Sequence, residues 1–170
     1  FITTINFFRR IILLCLRWMD NQLKGYTMKQ FTLVTGDVIQ YDNHQINPLH
    51  AKGEITVNSL NEQVFIPQSV KTANELGKLK DNLFNIEKLL HSGYADPYPS
   101  IRVLIETTQP LPDITGLNIK RQFNIINFCS ADIDKQHCKR VLNALLQLEY
   151  VQQIQLDEVI QLRPPAIPEQ

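Results

Sequence analysis

The chain is poor in the residues that announce chemistry. Its six glycines fall singly along 170 residues, so there is neither a Walker-type phosphate loop nor a dinucleotide-binding fingerprint. Its three cysteines, Cys15, Cys129 and Cys138, are odd in number and lack paired spacing. That argues against a disulfide framework and fits a reducing, cytoplasmic setting. No apolar run approaches the roughly 18 residues a membrane-spanning helix requires, so no integral membrane span is expected. An excess of charge is missing too: 17 Lys plus Arg balance 17 Asp plus Glu. A neutral chain has no global field to steer it onto nucleic acid or an anionic membrane, although a local patch remains open.

What is present is globular. Hydrophobic residues make up 44% of the chain and charged residues 20%, enough apolar material for one substantial core and too little length for two comfortable domains. The polar remainder is rich in Gln and Asn, which keeps a surface wet without charging it.

The chain divides into an N-terminal extension over 1–27, a single α+β domain over 28–163 and a loose tail over 164–170. Residues 1–27 read as a segment upstream of a start at Met19 or Met28, or as a surface helix presenting Phe7, Phe8, Ile11, Leu14 and Trp18. A signal peptide fits less well, because Arg17 interrupts the apolar stretch and no small-residue cleavage site follows. Within the domain, residues 30–41 read as β-prone material broken by Thr35-Gly36-Asp37, and 42–53 as a loop. Glu54 to Ile66 is either one bulged strand or a tight hairpin. A helix follows, with Ser69 as its cap and an apolar stripe of Leu76, Leu79, Leu83, Ile86 and Leu90, stopped by a left-handed Gly93.

Ile101, Val103, Ile105 and Thr107 alternate with Arg102, Leu104 and Glu106 as a strand. Leu117 to Cys129 reads as one long strand. Ser130 then caps a second helix whose first turn carries Asp132 and Asp134, with a stripe of Ile133, Cys138, Val141, Leu142, Leu145 and Leu148. A last strand runs from Val151 through Ile154, Leu156, Ile160 and Leu162. From Glu54 the order is strand, helix, strand, strand, helix, strand. The expected fold is therefore a ferredoxin-like β-α-β-β-α-β plait with an extra N-terminal strand, helices on one face of a mainly antiparallel sheet. In that plait the strands beginning at 54 and 117 are central, and those at 100 and 151 are edges.

No catalytic, cofactor-binding or metal residue is assigned, and no cofactor is expected. Cys129, His137 and Cys138 lack a fourth ligand and zinc-type spacing. His44 and His50 belong to a polar loop that also contains Asp42. Asp132 and Asp134, two apart in a first helical turn, do not share a face. A site assembled from distant residues such as His44, Asp96 and Tyr98 is the form an enzyme would have to take. Lys120, Arg121, Phe123 and Phe128 on one strand suggest single-stranded nucleic acid on the sheet face, but Lys135, Lys139 and Arg140 fall on the helix side. The expectation is a non-enzymatic interaction or assembly protein, with a protein partner or self-association into a homo-oligomer, acting through a sheet face or edge.

Overall fold

The computed structural model describes residues 28–123 and 125–158. The N-terminal extension, Cys15, the continuation of the last strand to Ile160 and Leu162, and the tail over 164–170 lie outside the described residues. The chain begins with a three-stranded antiparallel meander: β1 (Lys29–Thr32), β2 (Val38–Asp42) and β3 (Gln45–Leu49). The segment expected to be a loop over 42–53 thus contains a strand. Asn43 and His44 both take positive φ, 52° and 61°, between the paired residues Asp42 and Gln45. Two such residues make the tight turn whose twist matches a β-hairpin, and Asn tolerates that region well.

A second hairpin follows, β4 (Gly53–Val57) with β5 (Gln63–Pro67), paired from Gly53↔Pro67 to Val57↔Gln63. The hairpin alternative for 54–66 is the one adopted. Asn58 closes its turn: its side-chain carbonyl accepts from the Leu60 and Glu62 N–H groups at 3.0 and 2.9 Å.

The long helix expected between Ser69 and Gly93 is broken. A 3-10 turn (Gln68–Val70) leads into α1 (Lys71–Glu75), and Ser69 does not cap it. Gly77, with φ of 77°, ends α1. Its N–H donates to Asn74 C=O and the Lys78 N–H to Ala73 C=O, at 2.9 and 3.0 Å, the paired bonds of a left-handed helix stop. Leu76 is consequently 80% exposed instead of joining the stripe. Leu79 then bridges Ile154 in parallel, a 3-10 turn (Asp81–Phe84) buries Leu83 and Phe84, and α2 (Ile86–His91) starts on Asn85, whose side chain accepts from Lys88 N–H. Gly93 ends α2 as expected, with φ of 78° and Tyr94 N–H donating to Leu89 C=O at 2.9 Å.

The third sheet contains β6 (Ser100–Thr107), β7 (Leu117–Phe123), β8 (Phe128–Asp134) and β9 (Val151–Leu156), in the order β7-β8-β6-β9 with every pair antiparallel. α3 (Cys138–Gln147) lies between β8 and β9 in the chain. The stretch 117–129 is therefore a hairpin arm and not one strand. Asp132 and Asp134 sit on β8, where Cys129, Ala131 and Ile133 alternate into the core, and Ser130 caps no helix.

The architecture is α+β with antiparallel sheets, and the expected plait is not what forms. β6 and β8 are central, β7 is an edge, and the 54–66 hairpin pairs within itself. Two physical causes account for the difference. Gly77 breaks the first crossover helix. The period-two burial of 129–133 makes a strand where a helix start was read.

One buried cluster joins all three sheets, from Phe31 and Ile39 through Phe65, Leu83 and Phe84 to Ile105, Ile133 and Leu145. Each such side chain contributes roughly 1.5–3 kcal/mol of burial. α3 presents Cys138, Val141, Leu142 and Leu145 to this core. No helix among the described residues is long and apolar enough to cross a membrane.

Candidate functional site

The residues singled out for catalysis do not converge. His44 Nδ1 meets the Tyr41 hydroxyl at 3.2 Å. Asp96 is engaged elsewhere: Lys135 Nζ lies 2.6 Å away, and Thr32 Oγ1 donates to it at 2.9 Å. Tyr98 packs on Tyr94 with ring centroids 5.9 Å apart. No contact among the described residues links these three into one site. His50 is exposed on the loop after β3, and Asp42 ends β2.

Cys129 and Cys138 are free and buried, and burial pushes both thiols up, away from nucleophilic character. His137 Nδ1 lies 3.0 Å from Asp134, whose carboxyl is held low first by the Gln136 N–H and then by His137. That pair closes the turn between β8 and α3. No group of three or more His, Cys, Asp or Glu among the described residues is placed to hold a metal ion.

Two polar features carry the electrostatics. On the sheet face away from α3, Arg102 binds Asp132 through two bonds of 2.8 and 3.2 Å, and Lys120 adds a contact at 3.5 Å. Burial raises the Asp132 carboxyl, but these cations outweigh it and hold the group low. Beside them Arg121 stacks on Phe123 at 5.8 Å, and Phe123 faces Phe128 across the hairpin. Lys139 and Arg140 lie on α3, on the other side of the sheet, and Lys135 is buried against Asp96. Among the described residues, these basic side chains therefore form no single surface.

The second feature is an amide-rich cleft of about 480 Å³ where the broken helix meets β5 and β9. Glu62 accepts from Asn58 and Asn85, and Glu158 accepts from Asn82 and from Lys88 at 2.9 Å. Asn82 also accepts from Leu156 N–H at 3.0 Å. Each of these two carboxylates has internal partners, so the cleft works as a polar clamp on an unusually irregular chain path.

The clamp has a pH signature. The Asn58 bond foremost holds the Glu62 carboxyl below its usual range. Burial raises Glu158, but the bonds from Lys88 and Asn82 and the Lys88 charge bring it down on balance. A carboxylate whose folded pKa is depressed stabilises the fold above its unfolded value, about 4.3 for Glu, and that contribution disappears as pH falls through the folded pKa. Thermal melts should therefore show Glu158→Gln less stable than wild type near neutral pH, with the gap narrowing steadily as pH falls to about 3. A gap that stays constant would show that Glu158 stabilises by packing alone.

The sheet edges give the most specific geometry. Most carry a device that blocks further pairing. The Gln30 carbonyl on β1 accepts from Asp96 N–H at 2.8 Å, β3 carries Pro48, and β5 is bridged by Asn85. On β9, Ile154 exchanges bonds with Lys78 and Lys80 at 2.8 and 3.0 Å. β7 has a register shift between Ile119 and Arg121, and Lys120 stands in it.

β4 has none of these. All five of its residues are exposed, β5 is the only strand it pairs with among the described residues, and its sole charge, Glu54, is bonded to Lys71 at 3.0 Å. Ile55 and Val57 are 47% and 58% exposed on one face. Gly53 is required there, because the Phe65 ring lies where its Cβ would be, 2.7 Å away. The alternation in sequence places Ile55 and Val57 on one face, but whether that face is exposed depends on what packs against the strand. The chain matches no protein-family model, no curated protein and no solved structure in these comparisons.

Proposed function

We propose that the chain is a non-enzymatic interaction or assembly protein of a reducing, cytoplasmic environment, engaging its partner through the free edge of β4. One observation carries this reading: among the described residues β4 is unprotected, whereas the neighbouring sheet edges are bridged, bulged or proline-bearing. An exposed strand edge offers a row of N–H and C=O groups to any extended chain, and proteins that do not use such an edge block it. The two buried free thiols fit the reducing setting.

A second reading rests on the Arg121–Phe123 stack beside Phe128, which suits a base of single-stranded nucleic acid. Asp132 weakens it by neutralising Arg102 and Lys120 on the same face.

The test is positional. A photo-cross-linking amino acid placed at Ile55, and in a parallel variant at exposed Gln122 on β7, is activated in the cells that express the chain. Adducts several-fold more abundant at 55 than at 122 are expected. Equal yields, or none at 55, would remove β4 as the functional edge.

A further inference from the structure

We propose that the occupant of the β4 edge is a second copy of the chain, paired antiparallel across a two-fold axis at Ile55. This rests on β4 being the functional edge and adds the identity of the partner.

The backbone sets the register. Asn58 N–H donates to Glu62 C=O at 3.0 Å, and Gln68 N–H donates to Lys52 C=O at 2.8 Å. In an antiparallel ladder such residues alternate with ones that point away. Lys52, Glu54, Thr56 and Asn58 therefore face β5, and Gly53, Ile55 and Val57 direct their N–H and C=O groups outward. A two-fold centred on Ile55 sets Ile55 against Ile55 of the second copy as a doubly bonded pair. It also sets Gly53 against Val57 of that copy, so each outward group finds a partner.

The side chains agree with this register. Glu54 falls opposite Thr56 of the second copy, so no like charges are opposed. Ile55 and Val57 of both copies form one apolar strip on a common face. The formal net charge of zero leaves no overall repulsion between copies. The same operation on β7 would be centred on Lys120 and would set that ammonium against itself. The two hairpins would join as one continuous sheet in the order β5-β4-β4-β5. A short edge buries less than a standard stable interface, so the dimer is weak and dependent on concentration.

The two-fold makes a sharp test, because residue 55 faces its own copy. Sedimentation equilibrium of the full chain should show the average mass rising from monomer towards dimer, with a midpoint on the order of 10–100 μM. Ile55→Lys and Ile55→Glu, each at a half-exposed position, should separately raise that midpoint by at least about tenfold, because each opposes like charges. An equimolar mixture of the two variants should restore association, since Lys then meets Glu. Circular dichroism confirms that both variants fold.

A wild-type chain that stays monomeric to about 500 μM overturns self-pairing. Association unaffected by either charge, or not restored by mixing, overturns the β4 register. If Ile55 cross-links to a different protein while the purified chain stays monomeric, the functional edge stands and the second copy does not. If Ile55 gives no adducts and the chain is monomeric, both fall.

Discussion

Leu83→Ala is expected to lower the unfolding free energy by roughly 2–5 kcal/mol, the range for a large-to-small change at a closed core position. Leu83 is fully buried in the 3-10 turn Asp81–Phe84, which packs between β5 and β9. Polar bonds pin that turn on both sides: Asn82 holds the end of β9, and Asn85 is bonded to Glu62 beside the β4–β5 hairpin. The walls are thus restrained by hydrogen bonds and by the core, so they have little freedom to collapse into the space a leucine leaves. The informative control is Leu76→Ala, which should change stability by no more than about 0.5 kcal/mol because Leu76 is 80% exposed. Both leucines belong to the same sequence stripe, and a continuous helix would bury both. Urea melts giving similar losses for the two would contradict the broken path through Gly77. A loss below about 1 kcal/mol at Leu83 would mean this turn is not core.

That contrast shows what the sequence makes legible. Apolar spacing identified Leu79, Leu83 and Ile86 as core residues, and they are buried. It could not say by what path they are buried, because steps of three and four also occur along 3-10 turns joined by an extended bridge. The informative residue is Gly77, which lies inside the periodic pattern and, with φ of 77°, ends the helix there. The hairpin of β7 and β8 was hidden for a related reason. Its turn includes Ile125 and Ile126, which are 100% and 55% exposed, and apolar residues at a turn erase the usual punctuation. Gly93 was legible because its position, left-handed geometry and neighbouring prolines all agree.

The candidate site was legible only in part. Ile55 and Val57 could be placed on one face of a strand, and free sheet edges could be anticipated for an uncharged, Gln-rich chain. Which edge stays open is a property of tertiary neighbours. It depends on Asn85 reaching β5, on Lys78 and Lys80 reaching β9, and on the irregularity around Lys120. These are contacts between segments far apart in the chain, and no local pattern encodes them.

Gly116→Ala should be similarly damaging, at about 2–5 kcal/mol, for a different physical reason. Gly116 has φ of 94°, and its carbonyl accepts from Asp134 N–H at 2.9 Å, so it fixes the start of β7 against the end of β8. A methyl group there would overlap the Cβ of His137 and lie 3.0 Å from its Cγ and 3.2 Å from Val141 Cγ2. His137 is held by Asp134, and Val141 is fully buried, so neither can withdraw freely. The left-handed backbone contributes about 1–2 kcal/mol and the overlap about 1–3 kcal/mol. Gly93→Ala separates the two contributions. Its φ is 78°, yet nothing lies within 4 Å of the added Cβ, so only the backbone part, about 1–2 kcal/mol, should be lost. Equal losses in urea melts of the two variants would show that the close approach of β7 to α3 has no energetic weight. A clearly larger loss at Gly116 would identify the contact that holds the β7 edge against the helix.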